Sequence, residues 1–535
     1  MIKSALVSLL LVLASAALGA ETRDPATPPL GVATTTTSLT EVLNAARTAA
    51  GTHPASPREI SEKWTVKTND LSGTETYLEL GDDYRSDSNV GKLHSAEGRV
   101  HGKSWHQNYN GYVVVETGVH RRDETNTSAL AHALQGNVAG VSVIGEVADP
   151  PAYVVKVAPA DGRVEYRFYD KNTHLLVRTE RAVEGQRVVT VYDDFRTTDG
   201  VTRAWHIRRG DGRPYNDEDS RLESLDQTTP IDPARFEIPQ DVRAPFSPPG
   251  RRVKLPAKII DDRIIVTAEM GRHRVNFQLD TGASTILLDR SVTDALNIAS
   301  FGKQTEATAG AYVATKAIVP KMTIGQLVLT DIVVETAPFS FYGDEHTPVA
   351  GLLGFDFIAG SVLAIDYEAG SLEAIDSATF APPEGAIVIP IRLDDEVPIV
   401  AARVGGAEGS HFILDTGADR SMLFSDFVGA HPVETTDRGL GEAMLASFPF
   451  LSNVSGVGGR MRVRPVQVSS LGVGSLTLPR WLFEVLQNEE RSFEGEDFDG
   501  LIGQDVLRNF VVYLDYRHAK IYLTPNERYR QRWGS

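Results

Sequence analysis

Val275-Asn276-Phe277-Gln278-Leu279-Asp280-Thr281-Gly282-Ala283 and His411-Phe412-Ile413-Leu414-Asp415-Thr416-Gly417-Ala418 share one ending, a largely apolar strand that runs into Asp-Thr-Gly-Ala, 415 − 280 = 135 residues apart. Each strand is the second arm of a hairpin: Ile264 to Met270 precedes one with a turn at Gly271, and Ile399 to Val404 precedes the other with a turn at Gly405-Gly406. Further on, Ile324-Gly325-Gln326-Leu327-Val328-Leu329 matches Val473-Gly474-Ser475-Leu476-Thr477-Leu478, and Gly351-Leu352-Leu353-Gly354 matches Gly500-Leu501-Ile502-Gly503. From there the copies align without a gap, since 366 − 354 and 515 − 503 are both 12, which lays Asp366-Tyr367 on Asp515-Tyr516. The region is therefore a duplication, with one lobe over residues 257–378, a second over 389–526 and a Pro-bearing connection over 379–388.

Two strand ends that each finish in Asp invite pairing of the two carboxyls. Carboxylates about 3 Å apart cannot both ionise, so a pair shares one proton and offers an acid and a base from identical side chains. Asp280 and Asp415 are the candidates. Gly282 and Gly417 allow backbone to approach those carboxyls where a Cβ would collide. Such chemistry requires no metal, cofactor or covalent intermediate.

On these residues, over roughly Lys258 to Leu523, the chain resembles the retropepsin-like aspartic proteases, whose signature is Asp-Thr-Gly-Ala after an apolar strand and two apolar residues plus Gly late in each half. The resemblance implies a mainly β, two-lobed pair of acid-protease barrels. It also implies an aspartic endopeptidase acting on an extended peptide or protein substrate, with Asp280 and Asp415 catalytic. It further implies that Thr281 and Thr416 bond across the two-fold to the opposite loop. The residue after Ala differs between copies: Asp419 follows the viral form, in which this side chain contacts substrate backbone, and Ser284 the form common in cellular relatives. Glycine density marks the flap candidates, Gly456, Gly458 and Gly459 in the second copy and Gly310 in the first. The second copy also has extra residues, Gly429 to Leu451, ahead of its flap.

Upstream, residues 239–256 form a Pro-rich linker, with prolines at 239, 245, 248, 249 and 256. Residues 38–238 read as an α+β antiparallel domain. Ser38-Leu39-Thr40-Glu41 is a capping box that opens a helix ending near Gly51. Strands are expected at 64–66, 77–80, 112–116, 153–157, 164–169, 175–181 and 188–192. Tyr169-Asp170-Lys171-Asn172-Thr173 and Tyr192-Asp193-Asp194-Phe195-Arg196 resemble the strand and turn pattern of the periplasmic lipoprotein-carrier half-barrel, which implies a hollow for an apolar or lipidated ligand. A binding protein built on a protease-like scaffold is thus the alternative to an enzyme. His101 and His106 lie in a polar, turn-rich stretch without metal-ligand spacing, and Asn126-Thr127-Ser128 matches a glycosylation sequon.

Residues 1–20 read as an export signal, with Lys3 ahead of an apolar run from Ala5 to Leu13 and small residues beyond; 21–37 read as a flexible segment. A secreted or periplasmic location follows, with no stable membrane insertion once the signal is removed. The absence of cysteine leaves the cores to hold an exported protein without disulfides. A net charge of −18 argues against a nucleic-acid partner, whose phosphates demand clustered Lys and Arg.

Overall fold

The computed structural model describes residues 27–51, 59–116, 119–160, 162–183, 186–241, 249–307, 311–338, 343–344, 347–394, 396–431, 453–456, 459–486 and 498–534. The expected export signal and most of the extra second-copy residues lie outside these. Two compact units emerge, one built on residues 27–241 and the other on 242–301 and 306–535.

The first unit is an antiparallel sheet of thirteen strands with two helices. Strand Glu59–Thr68 sits inside it between Leu71–Leu80 and Glu218–Asp226, and the chain meanders outward to edge strands Val113–Glu116 and Val141–Ala148. Helix Leu39–Ala50 starts as the capping box dictates: the Ser38 hydroxyl accepts from the Glu41 N–H and the Glu41 carboxylate accepts from the Ser38 N–H. It stops at Gly51, whose φ of 77° suits glycine. Its Val42 and Leu43 pack with Ala129 and Ala133 of helix Val119–Ala133 against Val155, Val157 and Tyr169 of the sheet.

All seven expected strands form. Six others also form; two of them, Asp83–Val90 and Lys103–Gln107, are mostly polar and gave little apolar period to detect. His106 therefore lies in a strand, and the turn is confined to His101-Gly102, both at positive φ. Asn126 is buried, its amide donating to the Arg163 carbonyl at 3.0 Å, which removes it from any glycosylation surface. The open antiparallel sheet is what the structure shows; kinship with lipoprotein carriers gains nothing further from it.

In the second unit each lobe is a closed barrel of six strands. The first ring runs Arg263–Met270, His273–Leu279, Gly351–Leu353, Ile286–Asp289, Leu327–Ala337 and Ala311–Ile324, and closes where Glu269 pairs with Thr323. The second repeats it with Val397–Val404, Ala407–Leu414, Gly500–Ile502, Met422–Leu423, Leu476–Leu486 and Gly459–Val473, closing through Ala402–Val404 against Leu471–Val473.

Beneath both barrels lies a six-stranded sheet to which each lobe contributes. Its centre is the antiparallel pairing of Leu363–Asp366 from the first lobe with Val511–Leu514 from the second. Its edges are Arg252–Lys254 and Ile387–Pro390, drawn from the two Pro-rich stretches. Proline is tolerated at a sheet edge because no further ladder bond is required there. The Asp262 carboxylate adds a second tie between lobes, accepting from Arg508 at 2.5 Å and Arg528 at 2.8 Å.

Candidate active site

Both Asp-Thr-Gly loops are held by the segment that sequence reading paired with them. Strand His273–Leu279 runs parallel to Gly351–Leu353, and the Asp280 N–H continues the ladder by donating to the Leu353 carbonyl at 3.0 Å. Strand Ala407–Leu414 runs parallel to Gly500–Ile502, with the Asp415 N–H on the Ile502 carbonyl at 2.9 Å. The glycine closing each apolar pair has a steric reason, since a Cβ on Gly354 would stand 2.2 Å from the Ala283 carbonyl oxygen.

The two loops meet across the pseudo-two-fold. Thr281 Oγ1 donates to the Leu414 carbonyl at 2.5 Å and accepts from the Thr416 N–H at 2.8 Å. Thr416 Oγ1 donates to the Leu279 carbonyl at 3.1 Å and accepts from the Thr281 N–H at 3.0 Å. Both threonines are fully buried, so four hydrogen bonds in a dry setting fix the register of the aspartates. Glycine is required beside them: a Cβ on Gly417 would lie 2.4 Å from Asp280 Cγ, and one on Gly282 would lie 2.9 Å from Asp415 Cγ.

The carboxyls sit within hydrogen-bonding reach of each other. Burial, then the charge of Asp415, push Asp280 well above the ordinary carboxylate range. Burial also raises Asp415, but backbone N–H groups of Gly417, Ala418 and Gly282 work against that by bonding to it, the Gly417 bond being 2.6 Å long. Asp280 likewise accepts from the Gly282 N–H, at 2.9 Å, so both loops present backbone donors and the two carboxyls act as one unit that shares a proton.

Ser284 is buried, whereas Asp419 is exposed; partial burial raises its carboxyl, and the charges of Arg263 and Arg420 oppose that. Gly456 and Gly459 face each other at the end of the hairpin formed by Asn453–Gly456 and Gly459–Val473. Gly458 and Gly310 lie outside the described residues. Among the described residues no three His, Asp or Glu side chains cluster so as to hold a metal ion.

Sequence reading missed a supporting layer. Gln278 donates to the Gly417 carbonyl at 3.0 Å, and Gln504 donates to the Thr416 carbonyl at 2.6 Å while accepting from the Tyr367 hydroxyl. Asp505 accepts from the Ser421 hydroxyl at 2.8 Å and Asp356 from the Thr285 hydroxyl at 2.9 Å. A signal existed for the acids, because Gly-x-Asp recurs in register at 354–356 and 503–505. The glutamines gave none, as their counterparts by repeat are Ile413 and Phe355.

Residues 266–357 and 400–506 each match the aspartyl protease family. Among solved structures, soybean basic 7S globulin aligns with 53% of this chain and 97% of its own at 9% identity, with a TM-score of 0.33. The aspartic proteinase of Irpex lacteus aligns with 52% of this chain and 98% of its own at 14% identity and a TM-score of 0.33. A DUF1329 family protein from Desulfovibrio piger aligns with 37% of this chain and 95% of its own at 14% identity and a TM-score of 0.28. No curated protein matches the chain.

Proposed function

We propose that the two aspartyl protease segments work together as one aspartic endopeptidase. Asp415, ionised, takes a proton from a water held between the carboxyls as that water's oxygen bonds to the peptide carbonyl carbon, and Asp280 passes its proton to the carbonyl oxygen. The adduct then collapses: Asp280 recovers a proton from the diol, the C–N bond breaks, and the amine leaves with the proton taken up by Asp415. One water is consumed and both carboxyls return to their starting states.

The observation that carries this reading is the pairing of two carboxyls, Asp280 buried and Asp415 partly so, on one hydrogen-bonded bridge, each accepting from the backbone N–H of its own loop glycine. The substrate would be an extended peptide lying across the dyad, with Asp419 in reach of its backbone. The N-terminal stretch supports an exported, periplasmic or secreted setting.

Digestion of a diverse peptide pool by the purified protein tests the reading. Cleavage is expected, blocked by a statine-type mimic of the tetrahedral adduct and unaffected by chelators or serine reagents. Loss of cleavage on adding a chelator would contradict it.

A further inference from the structure

The short helix Gln504–Leu507 clasps the chain that follows Asp415 at both ends. Gln504 holds the Thr416 carbonyl through its amide, and its own N–H donates to the Ala418 carbonyl at 2.8 Å. Asp505 holds Ser421: its Oδ1 accepts from the Ser421 N–H at 3.0 Å and from the hydroxyl at 2.8 Å, and that hydroxyl accepts from the Gly503 N–H at 3.0 Å. Segment 416–421 is thereby pinned on either side of Asp419.

Both bonds from Ser421 fall on one oxygen of Asp505, so the carboxylate plane is set by what meets the other. That partner is the Trp481 indole, whose N–H donates to Asp505 Oδ2 at 3.2 Å. Trp481 lies on strand Leu476–Leu486, is 2% exposed, and is packed against helix Glu527–Trp533. The Trp533 ring lies 5.9 Å from its ring, 30° from parallel, and the Arg532 guanidinium sits 4.9 Å from its centroid. The same helix is tied to the backbone of Asp505. Its cap, Asn526, donates from its amide to the Arg508 carbonyl at 2.9 Å and from its N–H to the Asn509 carbonyl at 3.1 Å, and the Asn509 amide donates to the Asp505 carbonyl at 2.8 Å. In the first lobe Asp356 stands where Asp505 does and accepts from the Thr285 hydroxyl, but Ile332, with no side-chain N–H to give, takes the place of Trp481.

We propose that Trp481 is a positioning residue for Asp415, on the second lobe alone: helix Glu527–Trp533 sets the indole, the indole fixes the plane of the Asp505 carboxylate, and Asp505 fixes segment 416–421. That segment carries the Thr416 hydroxyl of the bridge and the Gly417 N–H that bonds to Asp415. The proposal rests on the peptidase reading for the worth of holding Asp415 still, but its first readout needs no turnover.

The test is amide hydrogen exchange of the full-length protein and its Trp481→Phe variant, which keeps an aromatic ring against Trp533 and removes the N–H. Exchange across 416–421 is expected to quicken roughly tenfold, the order of one hydrogen bond to a charged group, while first-lobe strand Arg263–Met270 keeps its rate. Unchanged exchange in 416–421, or an equal rise in Arg263–Met270, overturns the proposal. If Trp481→Phe does not fold, Trp533→Ala, at a half-buried site on the helix, is read in the same way. Trp481→Phe added to Asp505→Asn should quicken the segment no further than Asp505→Asn alone, and a further rise would show that the indole does not act through Asp505. On a cleaved peptide, Trp481→Phe should lower kcat and leave KM in place, and a change in KM alone would contradict the assigned role. Exchange that moves as stated in a protein that cleaves no peptide would sink the peptidase reading and leave this one standing.

Discussion

At the scale of single residues, Asp280 and Asp415 differ only in what surrounds them. A carboxyl raised by burial binds its proton more tightly in the folded state than in the unfolded chain. Its contribution to stability is therefore intact below the ordinary carboxylate range and is lost as pH rises toward the raised value. Above that value the fold must hold a charge that burial and Asp415 both oppose. Asp280→Asn, which cannot ionise, should melt at a higher temperature than the unsubstituted protein at pH 7. The difference should shrink as pH falls toward about 4, near the unfolded carboxyl's own pKa. Thermal melts across that range check the sign, and a difference that does not change with pH would show that Asp280 is not raised.

At the scale of elements, the loops depend on strands and on each other. Thr416→Val keeps the shape of the side chain but strips the bond to the Leu279 carbonyl and the acceptor for the Thr281 N–H. Each buried group left unpaired costs about 1–3 kcal/mol. A fall in unfolding free energy of that order is expected from denaturant titration, together with loss of turnover, and Thr416→Ser should recover most of both. A stable, active Thr416→Val protein would mean that the bridge does not hold the aspartates.

This layer also marks how far sequence alone reached. The hairpins, the Asp-Thr-Gly ends and the apolar pairs with their glycines were legible because each copy repeats them in register. Gln278 and Gln504 were not, since their roles arise where the copies differ, and a side chain bonded to a neighbouring loop leaves no periodicity on its own strand. The strands at Arg252–Lys254 and Ile387–Pro390 were hidden for a different reason. Proline composition reads as linker, and only a neighbouring strand, Ser371–Ile375 or Lys520–Pro525, reveals an edge. In the first unit, polar strands such as Asp83–Val90 gave no amphipathic signal, because Ser86 and its partner Glu75 are buried as a hydrogen-bonded pair.

At the scale of the whole molecule, the account turns on where the second carboxyl comes from. Both lobes lie in one compact unit, joined through the shared sheet and the Asp262 contacts with Arg508 and Arg528. Covalent tethering makes their pairing intramolecular, at an effective concentration on the order of mM for a short connection, well above ordinary protein concentrations. The most direct measurement compares peptide turnover by the unsubstituted protein, by Asp280→Asn, by Asp415→Asn, and by an equimolar mixture of the two variants over a range of concentrations. The account predicts turnover only by the unsubstituted protein, with the mixture as silent as its components. Activity in either single variant would contradict the dyad, and recovery in the mixture that grows with concentration would show that the working site is assembled between chains.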